Sequence, residues 1–130
     1  MIFKGILFSL TLCAGGFPAS GAISGCADVA LVLAIDGSGS IDDADFALQR
    51  QGYTAAFADD QVLSALNSAG IVDVAVVIWG DADLAPQIIP WQRIVAPEDA
   101  VHLATLIAQE PRRVTGDAGI GSGLWAALDL

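Results

Sequence analysis

The sequence has few basic residues. Five Lys and Arg stand against 15 Asp and Glu, which gives a formal net charge of −10 at pH 7. A chain this acidic repels nucleic acid and anionic membrane surfaces, so we expect no nucleic-acid partner. The charge favours cations or a basic partner, although solubility alone is a sufficient reason for it.

Histidine and cysteine are scarcer still. The single histidine, His102, stands in a predicted helix beside Val101 and Leu103. A lone helical histidine is typical of a surface or packing residue, so we assign it no catalytic role. The two cysteines are Cys13 and Cys26. Cys13 falls within a predicted export signal, which leaves Cys26 without a partner in the mature chain.

The sequence also lacks an apolar run long enough to span a bilayer. The run Ile6–Phe17 is short, with Lys4 before it and the small residues Ser20-Gly21-Ala22 after it. This order is typical of a secretory signal peptide. We therefore predict cleavage after Ala22, export to the periplasm or secretion, and one domain over residues 23–130.

A second processing route starts from Cys26. The segment Ile23-Ser24-Gly25-Cys26 resembles a lipobox, in which Cys26 becomes the lipidated first residue. The small residues lie several positions past the apolar core, which favours cleavage after Ala22. Mass spectrometry of the mature protein is expected to show Ile23 at the amino terminus. A lipid-modified Cys26 would favour the lipoprotein, and an intact Met1 would contradict both routes.

The most informative feature is an apolar run, Val29–Ile35, followed at once by Asp36. Such a run predicts a central strand of a parallel sheet, buried on both faces. The turn after it offers a carboxylate and the hydroxyls of Ser38 and Ser40, with no thiol or imidazole. These oxygens suit Mg²⁺, Ca²⁺ or Mn²⁺ rather than Zn²⁺. Alternatively, Asp36 and Ser40 cap the next helix while Ser38 satisfies the turn.

The rest of the chain alternates between helical and strand patterns. Asp42 or Asp43 is expected to cap the first helix, and a short final strand is expected to stop at Pro90. The first predicted helix ends at about residue 58. Three further helices are predicted: 61–67, one from 97 that ends before Pro111, and one that begins at 120. The further strands are 71–79 and 87–89. This order predicts an α/β fold with a doubly wound, mostly parallel sheet.

The turn Asp36-Gly37-Ser38-Gly39-Ser40 resembles the first metal-binding loop of the von Willebrand factor type A (VWA) domain. Four other segments are similar to a group of exported Gram-negative VWA-like proteins known only as a domain of unknown function: residues 42–53, 76–79, 89–91 and 111–113. The resemblance covers residues 27–130 and implies a VWA/Rossmann-like fold. A VWA domain continues through further strands, so the sequence is expected to be its amino-terminal part, incomplete at the C-terminus.

The resemblance also implies a ligand set. In the family, the two serines bind the cation directly and the aspartate acts through water or a hydrogen bond, roles that fall on Ser38, Ser40 and Asp36. The family's second loop supplies a threonine, but Ala118 stands at that position here. Thr115 or Asp117 are the nearby substitutes, while Arg112 and Arg113 either hold this loop or are solvated. The third loop's aspartate would follow Leu130, so the expected binding is weak.

The resemblance implies an exported, non-enzymatic binding or adhesion module whose protein partner supplies an acidic side chain to the cation. The alternative is a structural or vestigial fragment without a working metal site. A hydrolase using Asp36 or Ser38 is a third hypothesis, which lacks a visible base. A dinucleotide-binding turn at Gly37-x-Gly39-x-x-Asp42 is weaker still, because Asp42 would face the pyrophosphate.

Overall fold

The protein has a mixed α/β fold. The computed structural model describes residues 25–130, and the predicted signal peptide, residues 1–22, lies outside them. The elements in chain order are β1 (Val29–Asp36), α1 (Asp43–Ala56), α2 (Asp60–Ala69), β2 (Val72–Trp79), β3 (Gln87–Ile94), α3 (Pro97–Gln109) and α4 (Ile120–Leu128). The sequence pattern predicted all seven, with ends that coincide or differ by up to five residues.

The three described strands form one sheet in the order β1-β2-β3. β1 and β2 are parallel, in register from Val29 opposite Val72 to Asp36 opposite Trp79, which confirms the predicted parallel strand. The prediction that this strand is central and buried on both faces is wrong for the described residues, since β2 occupies the middle. β1 has one described neighbour, and Leu31 is consequently 39% exposed.

β2 is the buried centre of the fold. Because side chains alternate along a strand, Val74 and Val76 lie on one face and join the main apolar core with Leu103 of α3. Trp79 lies on the other face and packs against α4 at Gly123, where an added Cβ would come within 2.5 Å of the Trp79 Cγ. Helices therefore cover both faces of β2.

β3 extends past the point where the sequence predicted its end. Pro90 does not stop the strand, which continues to Ile94. The register changes here: Ile89 pairs with Val76 and Gln92 with Val74, so two residues of β3 lie opposite one of β2. β3 is antiparallel to β2 and, like β1, is an edge strand of the described sheet. Proline is tolerated on edge strands and at bulges.

α1 begins at the same edge of the sheet where β1 ends. The Asp42 side chain caps it by accepting a hydrogen bond from the Asp45 N–H at 2.8 Å. Asp42 is one of the two predicted caps, and the alternative in which Asp36 and Ser40 cap this helix is wrong. Phe46 and Phe57 are buried and anchor both ends of α1 in the core. This packing fixes the start of α1 beside the turn that follows β1.

The described residues give two further facts about processing and membranes. Cys26 is exposed and is a free thiol, just before β1. No helix within residues 25–130 is long and apolar enough to cross a membrane.

Candidate functional site

Three segments meet at the carboxyl ends of β1 and β2. We call them the first loop (Gly37–Ser40), the Asp81 turn (Gly80–Leu84) and the second loop (Thr115–Gly119). The Gly39 N–H donates to the Gly116 carbonyl at 2.7 Å, which joins the first loop to the second. The Asp81 N–H donates to the Thr115 carbonyl at 2.9 Å, which joins the turn to the second loop. The second loop thus contacts both of the others.

The first loop brings the three predicted ligands together. The Ser38 N–H donates to Asp36 Oδ1 at 2.8 Å, and the Ser38 and Ser40 hydroxyl oxygens lie 2.9 Å apart. Ser38 is fully buried, Asp36 is half-buried and Ser40 is exposed. The Gln49 side chain donates to the Asp36 carbonyl at 3.1 Å and ties the loop to α1. The motif therefore forms one oxygen cluster that reaches from the core to solvent.

Gly37 allows this loop to sit close to the core. A Cβ on Gly37 would lie 2.6 Å from Val114 Cγ2 and 2.9 Å from Ile78 Cγ2, both far inside van der Waals contact. A larger residue would push the chain away from the end of β2 and carry Ser38 out of its buried position. The glycine is thus required by close packing and not by an unusual backbone angle.

The second loop places Thr115 beside the first loop. The Thr115 hydroxyl lies 3.5 Å from where a Cβ on Gly39 would stand. Asp117 is exposed, and its backbone N–H is bound by the Asp81 carboxylate at 3.3 Å. Ala118 is exposed as well. Of the two substitutes predicted for the missing threonine, Thr115 has its side-chain oxygen close to Gly39 of the first loop.

Asp81 also belongs to this site, although it was not among the site residues predicted from the sequence. Its Oδ1 accepts from the Asp83 N–H at 3.0 Å and its Oδ2 from the Asp117 N–H. These backbone donors, Asp83 first and then Asp117, hold the pKa of the Asp81 carboxyl below its usual range. A Gly-Asp-x-Asp turn after a buried strand is a recognisable signal for the first bond. The bond to residue 117 has no local signal.

Arg112 contacts the residues that connect the first loop to α1. Its guanidinium donates to the Ile41 carbonyl, forms an ion pair with Asp43 at 3.1 Å and lies 5.7 Å from the centre of the Phe46 ring. Arg113 instead forms an ion pair with Glu110, three residues before it in the same segment. Arg112 is therefore a link between the start of α1 and the segment that leads into the second loop.

The donor set fits a hard cation held mainly by hydroxyls. Asp36, Ser38, Ser40 and Thr115 offer only oxygen, with a single carboxylate among them. Within residues 25–130, no three His, Cys, Asp or Glu side chains are grouped closely enough to hold a metal ion. A cation held by these four residues alone would keep water at its remaining ligand positions. His102 is on α3 and exposed, and it lines a surface pocket with Pro90 and Gln92 of β3.

Comparison with known families places the chain in a family. The model of a family described as a protein of unknown function (DUF1194) matches residues 25–130. The chain belongs to the DUF1194 family. No curated protein and no solved structure matches the chain. The family match confirms the expected domain of unknown function, and the description of the family names no activity.

Gly116 is expected to be the residue of this site least tolerant of a side chain. Its φ is +83°, and a Cβ there would lie 2.6 Å from Asp81 Oδ2. Gly116→Ala should lower the free energy of unfolding by at least ~1 kcal/mol, because the left-handed region is costly for alanine. Urea denaturation measures the change.

Gly52→Ala is the matched control. Gly52 lies inside α1, and a Cβ there meets nothing within 4 Å. This change should raise the free energy of unfolding by about 0.5–1 kcal/mol, because alanine favours a helix interior over glycine. Equal effects of the two substitutions would contradict the tight contact between the second loop and the Asp81 turn.

Proposed function

We propose that this DUF1194 protein is an exported, non-enzymatic binding module of VWA type, with the doubly wound sheet of that family. Its first loop would hold a hard divalent cation, Mg²⁺ or else Mn²⁺ or Ca²⁺, through Ser38, Ser40 and Asp36. Thr115 is the favoured second-loop ligand, with Asp117 as the alternative. The observation that carries the proposal is the pair of serine hydroxyls beside Asp36 at the end of a parallel strand.

The two hydroxyls, which are hydrogen-bonded to each other, are also spaced as neighbouring ligands of Mg²⁺ would be. Mg²⁺ takes octahedral ligands at about 2.0–2.1 Å, so neighbouring ligand oxygens are separated by about 2.9 Å. The Ser38 and Ser40 oxygens already lie 2.9 Å apart. The loop would therefore present two adjacent ligand positions with little rearrangement.

The acidic partner that the resemblance implies would have to bind through the cation, because the charge of the chain itself opposes it. With 15 acids and five basic residues, the protein repels an acidic surface. One carboxylate leaves a divalent cation with net positive charge, and water-filled positions can be taken by a partner's carboxylate. We therefore propose a protein ligand that supplies an acidic side chain, with binding that depends on the cation. No nucleic acid or membrane span is part of this proposal.

Two observations bear on the other hypotheses. The Asp36 carboxylate accepts from the Ser38 N–H, a bond that a structural or vestigial fragment would make as well. The Ser38 hydroxyl is fully buried and meets the Ser40 hydroxyl, which is not a base. This contact argues against a hydrolase with Ser38 as nucleophile.

Cation titration of the purified protein tests the proposal. Calorimetry with Mg²⁺ and Mn²⁺ should show weak binding that Asp36→Ala weakens by about 1.5–3 kcal/mol, because a charged group is lost. Ala118→Thr should tighten binding by ~1 kcal/mol, a several-fold change, because it restores the hydroxyl expected from the resemblance.

Asp60→Ala is the control, since Asp60 is an exposed acid at the start of α2, far along the chain from the loops. It should leave the affinity unchanged if binding is local. If Asp36→Ala and Ala118→Thr also change nothing, the first loop is a turn and the metal-binding proposal has to be abandoned for this chain.

A further inference from the structure

The Asp81 turn touches the second loop along its whole length. Besides the two bonds made by Asp81, the Gly119 N–H donates to the Gly80 carbonyl at 3.0 Å. The backbones are in direct contact, because a Cβ on Gly80 would lie 2.7 Å from the Thr115 carbonyl oxygen. The turn therefore supports both ends of the second loop and leaves no room for a side chain between them.

The opposite side of the second loop faces the first loop. The Gly116 carbonyl accepts from the Gly39 N–H at 2.7 Å, and a Cβ on Gly39 would lie 3.0 Å from that same oxygen. Gly116 thus stands between Asp81 on one side and Gly39 on the other. If the second loop moves away from the Asp81 turn, it also moves relative to Gly39, which lies between Ser38 and Ser40.

We propose that Asp81 is a positioning residue of the candidate cation site, whose carboxylate holds the Thr115–Asp117 segment against the first loop. This inference rests on the function proposed above. Both oxygens of the Asp81 carboxylate accept backbone N–H groups, so its bonds in this arrangement are to the backbones of its own turn and of the second loop. It fixes the distance between the hydroxyl of Thr115 and the serine pair.

Two substitutions of Asp81 and one control substitution of Asp83 test this role. Asp81→Asn retains one acceptor oxygen, and Asp81→Ala retains none, while Asp83→Asn removes a charge from the same turn and leaves the Asp81 carboxylate in place. Affinity for Mn²⁺ should fall several-fold in Asp81→Ala and less in Asp81→Asn. Asp83→Asn should bind like the unchanged protein. Circular dichroism establishes that each variant is folded, and Asp81→Asn carries the test if Asp81→Ala is not.

Amide hydrogen exchange separates this proposal from the one on which it rests. If Asp81 positions the second loop, exchange at the Gly39 and Asp117 amides should accelerate in Asp81→Ala, whether or not Mn²⁺ binds. Unchanged Mn²⁺ affinity in both Asp81 variants, with binding in the parent protein, would overturn the positioning role alone. Absence of Mn²⁺ binding in the parent would overturn the proposed function. Unchanged exchange at Gly39 would then overturn the positioning role as well.

Discussion

The parallel pairing of β1 with β2 determines where every candidate ligand lies. Parallel strands end at the same edge of a sheet, so Asp36 and Trp79, which are opposite each other, start two turns side by side. The second loop then binds both turns through backbone hydrogen bonds. Without this pairing, the first loop would be an isolated turn on the surface, and Thr115 would have no fixed relation to its serines.

Close backbone packing converts this arrangement into a defined geometry. Three glycines, Gly37, Gly80 and Gly116, stand where a Cβ would come within 2.6–2.7 Å of a neighbouring group. Their contacts exclude side chains from the interior of the site and leave Ser38 buried but Ser40 exposed. The Asp81 carboxylate contacts the other side of the second loop through the Asp117 N–H. If the proposed cation site exists, cation affinity and local stability would therefore depend on the same contacts.

The sequence predicted the features that depend on nearby residues. The run before Asp36 indicated a strand, and Asp42 indicated the start of α1, because periodicity and capping are local. Prediction from the sequence failed for features that depend on contacts between residues far apart in the chain. Pro90 reads as a strand end, but the free side of β3 and a bulge accommodate it. The role of Asp81 depends on Asp117, which is 36 residues away, and no pattern along the chain signals that bond.

The measurement that tests the central claim most directly is paramagnetic broadening by Mn²⁺ in the ¹⁵N–¹H spectrum of the protein. If the first and second loops form one cation site, the amides of Gly39 and Gly116 should broaden together at the lowest Mn²⁺ concentrations. Amides beside the exposed acids Asp59 and Asp60 at the start of α2 should broaden only later. Broadening that follows those surface acids, while Gly39 and Gly116 stay sharp, would show that the cation is attracted by the general negative charge and that the two loops form no binding site.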